Sequence, residues 1–177
     1  MAITSGFGSS SPKWLLHIEH RPPLAAFEQK AFRALTEGEA AQVIAQTSNH
    51  WRKVFSIMAK ISFALFETDC DTWQEYRDTK LLTNEGFEAI SYDSVTLSQS
   101  NNQSQKRKLE PFAIVCGFGY ASQQLELEGL YPHQTHSKLL LAPNVNVALT
   151  PYFDWRQLNN ELLDVVIALM QGRLSSD

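Results

Sequence analysis

The residues best suited to bind a ligand lie near the end of the chain, between an apolar stretch and an apolar helix. The stretch ends at Thr150, and polar and aromatic side chains follow it: Tyr152, Phe153, Arg156 and Asn160. Aromatic rings stack on flat ligands and an arginine contacts negative charge. Because ligands of open α/β sheets bind at the carboxyl ends of strands, this junction predicts a site for a small anionic or nucleobase-containing ligand.

Two glycines and a lysine are assigned to the same predicted site. Gly117 and Gly119 close an apolar run, where backbone N–H groups at a helix start can hold an anion, and Lys80 adds a positive charge to that of Arg156. The simpler interpretation of the glycines is a turn that lets strand and helix approach closely. Ser122 stands where a dinucleotide fingerprint needs its third glycine, so no nicotinamide or flavin cofactor is predicted.

Histidines and cysteines give little support for a metal or a nucleophile. His133 and His136 are three residues apart, but no clear third ligand lies nearby, and the sequence leaves open whether they meet a metal. Cys70 and Cys116 are too few for a disulfide framework or a four-thiolate zinc site. Because no intact catalytic motif is present, the sequence favours binding over catalysis and predicts no cofactor.

The same aromatic residues also fit a different class of function. Tyr152, Phe153 and Trp155 would form the core of a protein–protein or homodimer interface, since tyrosine, tryptophan and arginine are enriched at interface hot spots. A ligand site and an interaction surface are therefore alternative interpretations of one segment.

Composition bounds the class of protein. A chain of 177 residues with 44% hydrophobic content can form one self-supporting core. The net charge of -4 opposes a broad basic surface for duplex nucleic acid, and no apolar run is long enough to span a membrane. Residues 1–12 are rich in glycine and serine and predict a flexible tail before a single domain at 13–177. The few cysteines suit a reducing cytoplasm.

Hydrophobic periodicity predicts an α/β fold. Strands are predicted over 14–20, 87–97, 112–116 and 145–149, with 138–141 either pairing with the last strand as a hairpin or leading into it. Helices are predicted over 24–35, 37–46, 49–66, 71–82 and 120–128, and a last helix has a capping-box pattern at Asp154 and Gln157. The polar stretch at 98–108 predicts an exposed loop.

The C-terminal third resembles the late part of the uracil-DNA glycosylase superfamily. Residues 115–121 form an apolar strand followed by glycine and a helix, and Thr150-Pro151-Tyr152-Phe153 stands where that family has a His-Pro-Ser-Pro-like turn. The resemblance implies a three-layer α/β sandwich with a short, mainly parallel sheet of about four to five strands flanked by helices. The whole chain also resembles small bacterial proteins of unassigned function.

The catalytic positions of that superfamily differ in this chain. Thr150 stands where the family's histidine faces the flipped uracil, and a hydroxyl cannot hold positive charge near neutral pH. The first predicted strand ends in His20-Arg21-Pro22-Pro23, without the turn that supplies the water-activating residue. The resemblance thus implies at most binding without efficient base excision.

Overall fold

The computed structural model describes residues 3–95, 111–124, 129–142 and 146–174. The polar loop predicted at 98–108 lies outside these residues. Within them the chain forms one eight-stranded sheet and five α-helices. No helix of the described ranges is long and apolar enough to cross a membrane.

The sheet has the spatial order β3-β1-β4-β2-β5-β8-β7-β6. The strands are β1 (Gly6–Gly8), β2 (Trp14–His17), β3 (Phe32–Arg33), β4 (Glu88–Ser91), β5 (Phe112–Cys116), β6 (Tyr131–Pro132), β7 (Leu140–Leu141) and β8 (Val147–Thr150). The central strands β4, β2, β5 and β8 are parallel. β1 and β7 join this centre in antiparallel orientation, and β3 and β6 form the two edges.

The sheet is larger than the predicted four to five strands. The four central strands agree with the predicted ones, but β1, β3, β6 and β7 are only two or three residues long. Strands this short carry too few positions to show an alternating pattern. The antiparallel pairing of Leu140 with Leu149 confirms the hairpin alternative for the segment before β8.

The helices are α1 (Glu39–Gln46), α2 (Asn49–Leu65), α3 (Trp73–Thr79), α4 (Phe118–Gln124) and α5 (Asn160–Leu174). Alternation along β5 assigns its side chains to the two faces of the sheet. Ile114 and Cys116 belong to the main core, which includes residues of α2 and α5, whereas Val115 packs with Tyr120 and Ala121 of α4. Helices therefore contact both faces of the central strands.

Part of the predicted N-terminal tail is a strand. Gly6 to Gly8 form β1, and Phe7 is buried in the main core. A Cβ on Gly6 would lie 2.0 Å from the carbonyl oxygen of Ile90, so glycine is needed there for backbone approach. Glycine in this stretch allows close strand pairing, whereas the composition alone predicts flexibility.

The helix predicted over 24–35 is absent. This segment contains a short 3-10 turn, Ala25–Phe27, and then β3. The guanidinium of Arg21 donates to the backbone carbonyls of Phe27 and Gln29, at 3.5 and 3.4 Å. In a continuous helix these carbonyls would instead accept from backbone N–H groups of the helix itself.

The last helix begins later than the capping-box pattern predicts. Its N-cap is Asn159, whose Oδ1 accepts from the N–H of Leu162 at 3.0 Å. Asp154 instead closes a turn, accepting from the N–H of Arg156 at 2.9 Å, and its other oxygen pairs with Nζ of Lys53 at 2.5 Å. The intervening residues form a polar turn between β8 and α5.

A buried carboxyl group connects the amino end of the sheet to the helices. Glu88, the first residue of β4, is fully buried and accepts from the hydroxyls of Ser62 and Tyr76, the latter at 2.8 Å. Its other oxygen accepts from the N–H of Leu82 at 2.8 Å. The indole N–H of Trp14 donates to Ser62 at 2.9 Å, so the network spans β2, α2, α3 and β4.

Candidate functional site

The strand order reverses direction between β2 and β5. After β2 the chain continues to β4 on one side, whereas β5 leads to β8 on the other side. The carboxyl ends of β2 and β5, at His17 and Cys116, therefore border a topological switch point. Open α/β sheets bind their ligands outside the strands at such a point, and the side chains gathered there define the candidate site.

Tyr152 covers the carboxyl end of β5. Gly117 has a φ of +97°, and a Cβ on it would lie 3.2 Å from Cδ2 of Tyr152, so the tyrosine ring sits directly over this glycine. The Tyr152 hydroxyl lies 2.9 Å from Nε2 of His50, the second residue of α2. The two rings are stacked, with centroids 5.3 Å apart. The turn after β8 is thereby connected to the start of α2.

Four more side chains complete a switch-point cluster with Tyr152 and His50. Glu19 and His20 are exposed and follow β2, Tyr92 follows β4, and Tyr120 lies on α4. The Tyr92 hydroxyl donates to the carbonyl of His20 at 3.0 Å. We call Glu19, His20, His50, Tyr92, Tyr120 and Tyr152 the switch-point cluster.

The tyrosines of the cluster are neutral hydrogen-bonding groups. Burial raises the pKa of Tyr152, and the Glu19 carboxylate adds to the effect. Burial and the Glu19 carboxylate also raise the pKa of Tyr120. Burial raises the pKa of Tyr92 in the same direction. Their hydroxyls therefore stay protonated at neutral pH and can both donate and accept.

His50 is also kept neutral. Burial lowers its pKa, and the charge of His20 lowers it further. With His50 uncharged, its Nε2 and the Tyr152 hydroxyl form a neutral donor–acceptor pair. The cluster thus combines aromatic rings with neutral polar groups and one carboxylate, Glu19.

Two buried polar atoms lie at the ends of strands of this edge. Nδ1 of His17 and Oγ1 of Thr150 have no hydrogen-bond partner among the residues that the structure describes. His17 is 6% exposed and Thr150 is fully buried. Burial lowers the pKa of His17 to about 4, with Asp93 partly opposing this effect, so its imidazole is neutral at pH 7.

The structure gathers only part of the residues predicted from the sequence. Tyr152, Gly117 and Thr150 lie at the carboxyl edge, but Phe153 is in the main core and its N–H donates to Sγ of Cys116 at 3.2 Å. Arg156 is exposed on the turn after β8, as is Asn160 at the start of α5.

The remaining predicted residues do not join them. A Cβ on Gly119 would meet nothing within 4 Å. Lys80 lies in the turn before β4, at the amino end of that strand, and pairs with Asp69 at 2.7 Å and Glu85 at 3.2 Å. It borders a separate cavity of about 470 Å³ whose lining also includes Glu37 and Glu75. The carboxylates of Asp69 and Glu85 raise the pKa of Lys80 and offset its positive charge.

His133 and His136 contact Thr135 between them, and His136 also contacts Glu161 of α5. The Thr135 hydroxyl lies 3.2 Å from Nδ1 of His133 and 2.9 Å from Nδ1 of His136, and Nε2 of His136 lies 3.5 Å from Glu161. In the described ranges, no group of three or more histidine, cysteine or carboxylate side chains is arranged to hold a metal ion.

The switch-point residues other than Tyr152 were missed in the sequence. Glu19 and His20 had a usable signal, because they are the polar residues at the carboxyl end of the strand predicted over 14–20. His50 had none, since it is 102 positions from Tyr152 in the sequence and lies on a helix whose pattern indicates only packing.

Comparison with known proteins gives a family but no activity. No curated protein matches the chain, and no solved structure matches it. Nothing in the comparisons links it to the uracil-DNA glycosylase superfamily. A model described as "Family of unknown function (DUF6942)" matches residues 5–171. The chain therefore belongs to DUF6942, a family of unknown function.

Proposed function

We propose that this protein binds a small, uncharged, ring-bearing ligand, such as a nucleobase or a nucleoside, at the switch-point cluster. The observation that carries the proposal is the Tyr152–His50 pair, which stands over the end of β5 at the point where the strand order reverses. Helices on both faces of the sheet support a three-layer arrangement, in which this carboxyl edge is the ligand-binding side.

Aromatic side chains favour a flat ligand. Tyr92, Tyr120, Tyr152 and His50 supply rings at this edge of the sheet, and each ring carries a polar atom. Stacking of a base on an aromatic ring contributes about 1–3 kcal/mol. The polar atoms would then orient the ligand through its edge.

The charges near the cluster favour an uncharged ligand over an anion. Glu19 places a carboxylate beside Tyr120 and Tyr152. Lys53 is paired with Asp154. Arg21 stacks over Tyr92 at 3.8 Å and donates to the Ser5 hydroxyl at 2.6 Å. These cations are already engaged, so a free phosphate would meet the Glu19 carboxylate without a dedicated counter-charge.

The proposal is tested by titrating the protein with uracil, cytosine, adenine, adenosine and inorganic phosphate in isothermal calorimetry. We expect at least one base or nucleoside to bind and phosphate not to bind. Tyr152→Ala should abolish binding, Tyr152→Phe should weaken it by about fivefold through loss of one hydrogen bond, and exposed Arg156→Ala should leave it unchanged. Phosphate binding that is lost in Arg156→Ala would contradict the proposal, as would a panel without any binder.

The interaction-module alternative lacks a specific supporting contact. Of its three aromatics, Phe153 is 1% exposed, Tyr152 is engaged with His50, and Trp155 is half-buried under Nζ of Lys60 at 4.3 Å. Light scattering during size exclusion tests it directly. A stable dimer that Trp155→Ala dissociates would favour the interface over the ligand site.

A further inference from the structure

We propose that His17 is a ligand-contacting residue of this site, and that its Nδ1 selects a neutral amide-type or ring-nitrogen edge of the ligand. The inference rests on the proposed function and deepens it. It specifies the ligand class as a base with an uncharged hydrogen-bonding edge, and it adds a residue that lies beneath the exposed part of the cluster.

His17 lies between two central strands of the sheet. It is the last residue of β2, beside Val115 of β5 and Ser91 of β4 in the strand register. Trp14, Leu16 and Ile18 belong to the main core, so His17 points to the opposite face of the sheet. On that face Val115 packs with Tyr120 of the cluster. His17 thus lies at the switch point, on the side of Tyr120.

Nδ1 of His17 is a buried polar atom. The His17 side chain is 6% exposed, and Nδ1 has no hydrogen-bond partner within the described part of the chain. Buried polar atoms in native proteins are paired in about nine cases out of ten, and an unpaired one costs about 1–3 kcal/mol. A ligand atom that bonds Nδ1 would remove this cost.

The imidazole of His17 is uncharged near neutral pH. The ring also makes a hydrogen bond to the backbone of Asp93, so Nδ1 is the ring nitrogen left to meet a donor or acceptor atom on the edge of a base. Because burial holds the pKa of His17 at about 4, the ring carries no positive charge at pH 7 that would attract a phosphate. The carboxylates of Asp93, which acts on His17, and of Glu19, which acts on Tyr152, also oppose an anion.

The chain allows a matched set of variants. His17→Phe keeps a flat ring of similar volume without nitrogen atoms. His17→Asn places an amide nitrogen close to the position of Nδ1, and His17→Gln places one close to that of Nε2. If Nδ1 makes the contact, His17→Phe should weaken binding by about tenfold or more, and His17→Asn should retain more affinity than His17→Gln.

The decisive measurement is an NMR titration of imidazole ¹⁵N shifts with uracil and with adenine, using inorganic phosphate as the anion probe. We expect the Nδ1 shift of His17 in the wild-type protein to change with the base and to saturate together with the calorimetric signal. His133, which lies outside the switch-point cluster, should not respond. The wild-type titration decides the proposal even where a variant fails to fold.

The outcomes separate this inference from the proposed function. If a base binds and Tyr152→Ala abolishes binding, but the His17 shift and the His17→Phe affinity are unchanged, the ligand site stands and the role of His17 is wrong. If no base binds, both proposals fail. A His17 response to phosphate alone would overturn the selection of a neutral edge.

Discussion

Leu82 donates its backbone N–H to Oε1 of Glu88 at 2.8 Å, and Leu82 is held at a φ of +61° while its side chain is fully buried. A left-handed conformation is unfavourable for a leucine and persists only where its surroundings impose it. The buried carboxyl group of Glu88 thus holds the turn before β4 in place, in addition to accepting from the hydroxyls of Ser62 and Tyr76. Gly86 belongs to the same arrangement, because a Cβ there would lie 2.7 Å from Oε1 of Glu88.

Replacing Glu88 with alanine should destabilise the protein strongly. The change leaves three buried donors, from Ser62, Tyr76 and Leu82, without their acceptor, and each unpaired donor costs about 1–3 kcal/mol. We expect the free energy of unfolding in urea to fall by about 3 kcal/mol or more. The exposed Glu37→Ala is the control and should change it by less than about 0.5 kcal/mol. Equal effects of the two variants would show that the network is not stabilising.

His17 should make stability depend on pH in the acidic range. Its pKa falls from 6.5 in the unfolded chain to about 4 in the folded protein, so between these values the unfolded state binds more protons. The contribution of His17 to the free energy of unfolding is therefore fully present above pH 6.5. It decreases as the pH falls to about 4, by about 3 kcal/mol in total.

Urea unfolding of the wild type and of His17→Phe between pH 4 and 7.5 measures this effect. The unfolding free energy of the wild type minus that of His17→Phe should fall by about 3 kcal/mol from pH 7.5 to pH 4, because only the wild type loses this contribution. Burial raises the pKa of Glu88, a change of opposite sign that both proteins share and that the difference removes. A difference that is constant with pH would contradict the lowered pKa of His17.

Gly6→Ala should disrupt the pairing of β1 with β4. The new Cβ would lie 2.0 Å from the Ile90 carbonyl oxygen, and backbone atoms cannot yield as a flexible side chain can. We expect a loss of about 2 kcal/mol or more and faster amide exchange in β1. Gly119→Ala is the matched control, since its Cβ would have open space, and in α4 it should be neutral or stabilising by up to about 1 kcal/mol.

Asn159→Ala should weaken the start of α5. Loss of the bond from the Leu162 N–H removes the N-cap and should lower the free energy of unfolding by about 1 kcal/mol. Gln157→Ala, at the position where the sequence pattern places a capping glutamine, should have an effect below about 0.5 kcal/mol. Thermal unfolding of both variants compares the two capping assignments, and a larger effect of Gln157→Ala would reverse them.

Local patterns were sufficient for the elements that bury many residues. The apolar runs at β2, β5 and β8, and the wide stripe of α2, reflect contacts that each element needs whatever its neighbours are. The α/β class follows from those patterns, and so does the prediction of a candidate site at the end of β8. The short strand β1 escaped them, because its glycines pair with a strand more than eighty positions away.

The composition of the candidate site depends on how distant segments meet. Tyr152 and Gly117 were identified because each directly follows an apolar strand, and the strand order then brings the two ends together. His50 lies at this edge because α2 begins next to Tyr152, and His17 lies there because β2 is a central strand. No local spacing in the sequence encodes either position. Lys80 is not part of the site, because its turn leads to the amino end of β4, where Asp69 and Glu85 pair with it. Hydrophobic periodicity is a property of neighbouring residues, whereas ligand contacts arise from backbone pairing between segments far apart in the chain.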